Sequence, residues 1–212
     1  MSLLSEELNQ YLDYLAEPES DLLRKINRET HLQVLMPRML SGHFQGRTLS
    51  MLSKLVRPEC ILEIGTFTGY ATLCLAEGLQ KDGVIHTIDI NEELEDRVRS
   101  YFAASEFKNQ IQYHIGDAME IVPQLKLNPD LVFIDADKKN NANYYDLIFE
   151  QVKPGGLILI DNVLWSGKVI DSEKLDKDTQ TIRALNEKVK NDDRVEQLLL
   201  PIRDGLWIIR KK

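Results

Sequence analysis

Five short apolar runs recur after Pro58: Cys60–Ile64, Val84–Ile88, Ile111–Ile115, Leu131–Ile134 and Leu157–Ile160. They are rich in β-branched residues, and stretches of helical periodicity separate them. That alternation predicts βαβ units and a parallel sheet. The end of the chain differs. Val195–Leu200 and Leu206–Ile209 flank Ile202-Arg203-Asp204-Gly205. An Asp-Gly turn between two strands predicts a closing hairpin, so one late strand runs antiparallel. Before Pro58 the pattern is helical. Leu4, Leu8, Tyr11, Leu12 and Leu15 share one face of a first helix. A second helix is expected from Asp21 to Met36, and Met39–Gly46 reads as a loop into a helix through Val56. Pro18 and Pro37 interrupt these stretches. At 212 residues the chain fits one domain, with helices over 1–57 and an α/β core over 58–212.

The first predicted strand runs into Gly65-Thr66-Phe67-Thr68-Gly69-Tyr70. Glycines let the backbone approach a ligand closely. Asp89, 20 residues past Gly69, closes the next run, where a carboxylate can accept hydrogen bonds from ribose hydroxyls. The pattern is Glu-x-Gly-x-x-x-Gly, not the G-x-G-x-x-G that seats a pyrophosphate on a helix N-terminus. Glu63, ahead of the first glycine, suits a cationic ligand better than a phosphate.

Asp89, Asp135 and Asp161 all fall at the C-terminal ends of predicted strands. Ligands bind at that edge of an open α/β sheet, and residues distant in sequence meet there. Asp135-Ala136-Asp137-Lys138 alone is compatible with an ordinary charged loop, and Asp161-Asn162 alone with an Asx turn or helix cap. Together, Asp135, Asp161 and Asn162 provide two carboxylates and an amide oxygen. That all-oxygen set suits Mg²⁺, with positions left for water and substrate oxygens.

Composition narrows the partners. A net charge of -8 argues against a broad nucleic-acid footprint. Cys60 and Cys74 form no C-x-x-C pair and fall in predicted core elements, which points to a reduced, cytoplasmic setting. No apolar run reaches membrane-span length, and Glu6 and Glu7 stand where a secretory leader would be basic and then apolar. His31, His43, His86 and His114 lack metal-ligand spacing and are assigned core or surface roles. Trp165, near the predicted mouth, is placed to stack on a flat ring or to pack.

The stretches LEIGTFTGY, TIDIN, FIDADK, LIDNVLWSG and RDGLWIIRK are specific in combination. With them the chain resembles the metal-dependent, S-adenosylmethionine-using O-methyltransferases of the caffeoyl-CoA and catechol type, from about Ser41 to the C-terminus. The resemblance implies a Rossmann-like class I methyltransferase fold: a mostly parallel seven-stranded sheet with a C-terminal antiparallel hairpin, helices on both faces, and N-terminal helices capping the site. It implies S-adenosylmethionine as cofactor. Ser41 would contact its methionine part and Glu63 its ammonium, with Gly65 and Thr66 lining that end. Asp89 would hold the ribose hydroxyls, Ala118 would meet the adenine, and Asp135 and Asp137 would add cofactor contacts. Asp135, Asp161 and Asn162 would bind Mg²⁺, Mn²⁺ or Ca²⁺. Lys138 would take the substrate proton beside Asp135, and Trp165 and Ser166 would contact the substrate. A small phenolic substrate and a homodimer are likewise implied.

Two positions depart from the family pattern. Ala71 stands where relatives often carry Ser, leaving Ser41 or Thr72 to supply that hydroxyl. The stretch from Lys168 to Lys177 is shorter than the substrate loop of the plant enzymes. The alternative within the same chemistry is methylation of a hydroxylated nucleoside in tRNA, which a basic strip beside the metal site would favour. A nicotinamide-dependent oxidoreductase lacks support because the third glycine is missing. A non-catalytic binding protein would have no use for three converging oxygen ligands.

Overall fold

The computed structural model describes residues 5–212, so Leu4 of the expected first helix lies outside them. Its strands are β1 (Cys60–Ile64), β2 (Val84–Asp89), β3 (Ile111–Ile115), β4 (Leu131–Ile134), β5 (Leu157–Asp161), β6 (Val195–Leu200) and β7 (Leu206–Lys211). They form one sheet in the order β3-β2-β1-β4-β5-β7-β6. β1 to β5 pair in parallel, and β7 lies antiparallel between β5 and β6. The class I methyltransferase fold and its closing hairpin are as expected.

Helices cover both faces of the sheet. On one side lie α2 (Asp21–Gln33), α3 (Gly42–Val56), α4 (Tyr70–Ala76) and α5 (Glu95–Ala103), which bury Ile26, Leu49, Leu75 and Val98 against Ile61 and Phe133. On the other lie α6 (Ala118–Leu125), α7 (Asn141–Phe149) and α8 (Lys177–Lys190), which bury Val122, Ile148 and Leu185 against Leu62, Ile64 and Ile134. Successive strand residues face opposite sides, so each apolar run feeds both cores. A fully buried Leu, Ile or Phe stabilises by about 1.5–3 kcal/mol, which makes these two layers the main support of the fold. α1 (Glu6–Leu15) buries none of its residues.

Side chains mark where helices start. Ser20 accepts from the Leu23 N–H at 3.2 Å, Asp117 from Met119 at 2.8 Å and Asp176 from Thr179 at 3.1 Å. Two boundaries differ from expectation. α2 ends at Gln33 rather than Met36. Val34 is extended and Met36 is left-handed (φ 58), and Pro37 has no N–H with which to continue the helix. α3 begins at Gly42, so the loop expected over Met39–Gly46 is shorter. Gly46 lies inside the helix as a contact residue: a Cβ there would sit 2.6 Å from Cε1 of Tyr70 and 2.9 Å from the Cys74 sulfur.

Candidate active site

The strand order reverses between β1 and β4, and the loops leaving their C-terminal ends diverge to form a crevice. Hydrogen bonds carry the sheet past the strand ends. Gly65 N–H donates to Ile88 O, Asp135 N–H to Ile64 O, and Gly116 N–H to Asp89 O, each at 2.9 Å. The C-terminal ends of β1 to β4 therefore stand side by side.

The glycine loop turns through Gly65 (φ 105), Phe67 (φ 49) and Gly69 (φ 78). Ser41, Gly65, Thr66 and Asp135 line one cleft with Met39 and Leu40, bringing together four of the residues expected from sequence. Ala71 lines it as well. Thr72 does not supply the missing hydroxyl. It is fully buried and donates to Glu63 Oε2.

Glu63 lies beneath the loop rather than in the cleft. Its Oε2 also accepts from Thr87 at 2.5 Å, and Thr87 in turn bonds Thr66 at 2.6 Å. Oε1 is buried with no partner among the described residues. Burial pushes the Glu63 carboxyl up to about 8, although the Thr72 and Thr87 hydroxyls oppose the shift. Asp89, the last residue of β2, fixes the loop from the side: Oδ2 accepts the Phe67 N–H at 2.6 Å and Oδ1 the Asn91 N–H at 2.9 Å. Ala118 begins α6 just after Gly116, on the same side as Asp89.

Ile134 of β4 pairs with Ile160 of β5, so Asp135 and Asp161 follow as neighbours across adjacent strands, about 5 Å apart along the pairing direction. Asp161 is only 1% exposed, and its Oδ1 accepts the Asn162 N–H at 2.8 Å. Among the described residues no lysine or arginine pairs with it. Asn162 is left-handed (φ 60), a conformation that asparagine tolerates. Asp135 accepts from Lys138 Nζ at 3.2 Å. Burial raises its carboxyl above the usual range; Lys138 opposes the shift and the Asp161 charge adds to it. Asp137 is occupied within the chain, since Oδ1 accepts from the Tyr144 hydroxyl at 2.7 Å and Oδ2 from Asn140 at 2.8 Å.

Among the described residues no group of three His, Cys, Asp or Glu side chains is arranged to hold a metal. The expected set contains two carboxylates and an amide. A nearly buried carboxylate with no basic partner, next to a second one it repels, is a costly arrangement that a divalent cation relieves. Asp135, Asp161 and Asn162 fit such an ion by donor type.

Two features of the rim carried no sequence signal. Trp165 (φ 48), Ser166 (φ 54) and Gly167 (φ 79) are left-handed in succession, and Ser166 N–H donates to Asp204. Arg203 of the β6–β7 turn reaches back to the cleft and donates to Leu40 O at 2.8 Å, to Ser41 O and to Gln45 Oε1 at 3.2 Å. The Trp165 indole Nε1 is buried without a partner among the described residues, and Lys168 Nζ stands 5.8 Å from the ring centre.

The O-methyltransferase family profile matches residues 13–212. The chain belongs to the O-methyltransferase family. It is 33% identical over 222 residues to a caffeoyl-CoA O-methyltransferase of Stellaria longipes, covering 99% of this chain and 92% of that one. A solved O-methyltransferase from Bacillus cereus in complex with S-adenosylhomocysteine superposes with a TM-score of 0.89 at 29% identity, over 97% of each chain. An O-methyltransferase from Streptomyces achromogenes involved in tomaymycin synthesis, in complex with S-adenosylmethionine, gives 0.89 at 26% identity over 99% of this chain and 100% of that one. As an O-methyltransferase of the caffeoyl-CoA type, the chain has the fold and glycine loop of a class I methyltransferase, and the family match begins within α1 and runs through β7.

Proposed function

We propose that the chain transfers the methyl group of S-adenosylmethionine to one hydroxyl of a vicinal-dihydroxy aromatic, with a divalent cation held by Asp135, Asp161 and Asn162. The observation that carries this reading is the register that sets Asp161, buried and with no basic partner among the described residues, beside Asp135 at the edge of the glycine-loop cleft.

The cofactor supplies an electrophilic methyl on a sulfonium, and the cation supplies the positive charge that lowers a phenol's pKa from near 10. The chain supplies position and field. Asp89 and Ala118 hold the nucleoside end, Ser41, Gly65 and Thr66 the methionine end, and Asp137 adds a further contact. Glu63 faces the ammonium from under the floor of the loop; a bound cationic group would draw its carboxyl into the ionised form, and an Oε1 with no partner among the described residues supports that role. Lys138 Nζ, 3.2 Å from Asp135, is the group placed to take the proton of the attacking hydroxyl, which it can do only as the neutral amine, once a cation replaces it as the partner of Asp135. Trp165 and Ser166 bound the acceptor side. Holding two reactants in line accounts for most of the acceleration in a displacement of this kind.

We read the enzyme as a cytoplasmic homodimer. Both cysteines are free, and α1 leaves Tyr11, Tyr14 and Leu15 exposed for a second copy. The test is turnover with S-adenosylmethionine and Mg²⁺ against simple catechols, caffeoyl esters and hydroxyuridine-bearing tRNA. A methylated catechol or caffeoyl product is expected. Methylated tRNA alone would move the substrate to nucleic acid.

A further inference from the structure

Each rim of the site is held by its own guanidinium, which binds main-chain carbonyls. On the cofactor side, Arg203 binds the carbonyls of Leu40 (2.8 Å), Ser41 and Arg38 (3.2 Å), together with Gln45 Oε1 (3.2 Å). The strip it grips includes Met39, Leu40 and Ser41, which form one wall of the cleft. On the acceptor side, Arg183 of α8 binds the carbonyls of Val169 (2.9 Å), Lys168 (2.8 Å), Lys174 (2.8 Å) and Asp171. That segment continues directly from Trp165 and Ser166.

Neither rim is held by a regular ladder. Three successive left-handed residues, Trp165 to Gly167, break helical bonding on the acceptor side. Met36, left-handed before Pro37, breaks it on the cofactor side. Arg203 is itself left-handed (φ 49), a conformation an L-residue adopts rarely and keeps only where its surroundings impose it. That turn sends its side chain back across the hairpin to residues 38–45. Each arginine presents several N–H donors in one rigid fork, and four acceptors surround each fork.

We propose that Arg203 and Arg183 are positioning residues that clamp opposite rims independently, Arg203 setting cofactor affinity and Arg183 setting acceptor affinity. The assignment of the two sides rests on the function proposed above. A lysine in either place keeps the charge but cannot span four acceptors, so the fork and the charge are separable.

The experiment compares R203A, R203K, R183A and R183K with the unaltered protein by three readouts. These are S-adenosylhomocysteine binding by calorimetry, amide hydrogen exchange of the ligand-free chain, and the acceptor KM with a catechol. Both Arg203 variants should weaken S-adenosylhomocysteine binding roughly tenfold and speed exchange over residues 38–45, with the acceptor KM little changed. Both Arg183 variants should speed exchange over residues 168–174 and raise the acceptor KM roughly tenfold, with S-adenosylhomocysteine binding little changed. Lysine variants that behave like the unaltered protein would overturn the clamps in favour of a charge effect. Alanine variants that shift both constants together would overturn their independence. If an alanine variant does not fold, its lysine counterpart decides the same question. An unaltered protein that binds S-adenosylhomocysteine but methylates no catechol counts against the proposed substrate alone, since the binding and exchange readouts still decide the clamps.

Discussion

Gly65 and Asp135 are packed backbone to backbone: a Cβ on Gly65 would overlap the Asp135 carbonyl oxygen and lie 2.6 Å from its carbonyl carbon. The cofactor loop and the carboxylate proposed to bind the cation are thus one rigid unit. Gly65→Ala adds this clash to a φ of +105 that L-residues rarely adopt. It should cost about 1–3 kcal/mol of stability and abolish measurable S-adenosylhomocysteine binding. Chemical denaturation and calorimetry check both, and unaltered binding would show that the loop has room to move.

Asp161 and Asp135 are proposed to share one ion. Asp161→Ala should remove Mg²⁺-dependent turnover and leave S-adenosylhomocysteine affinity within about twofold, since Asp161 does not line the cleft. Treatment of the unaltered enzyme with excess chelator should remove turnover, and added Mg²⁺ should restore it. Full activity in chelator would take the cation out of the mechanism.

Glu63 makes stability depend on pH in a definite direction. Its carboxyl is pushed up from an ordinary 4.5 to about 8 by burial, which the Thr72 and Thr87 hydroxyls only partly oppose. Below 4.5 the folded and unfolded chains both hold the proton, and the contribution is complete. As pH rises toward about 8 the unfolded chain releases the proton and the folded chain keeps it, so stability is lost across that window. Glu63→Gln carries no such proton. The melting temperature of the unaltered chain relative to this variant should therefore fall between those two pH values, and a constant difference would contradict the assignment.

Glu77 behaves oppositely. Burial would raise its carboxyl, but hydrogen bonds from Arg47, Lys54 and Ser50 hold it down at about 2. Its contribution is present above 4.5 and is lost as pH falls toward about 2. Glu77→Gln should cost about 1.5–3 kcal/mol at neutral pH, the value of hydrogen bonds to a charged group, because Arg47 is left half-buried beside a neutral amide. A urea midpoint equal to that of the unaltered chain would count against the network.

The parts of the site that were legible in sequence lie at strand ends. Asp89, Asp135 and Asp161 each close an apolar run, and a run ending in an acid is a local signal. The glycine loop was legible for the same reason, because spacing alone separated it from a pyrophosphate fingerprint. Thr87, which links Glu63 to Thr66, gave no such signal because a threonine within a strand is ordinary. Gly46 read as loop punctuation, yet it is there to admit the Tyr70 ring.

By itself the sequence determined the order of strands and helices, the turn chemistry and the kinds of donor at the mouth, because periodicity and turn preference act over a few residues. Tertiary structure alone decided that Arg203 reaches the Leu40 carbonyl at 2.8 Å and that the Glu63 carboxylate lies under the floor of the cleft. Those outcomes depend on which distant segments the sheet brings into contact. That contact follows from how two apolar faces pack around seven strands, and no single stretch of chain encodes it.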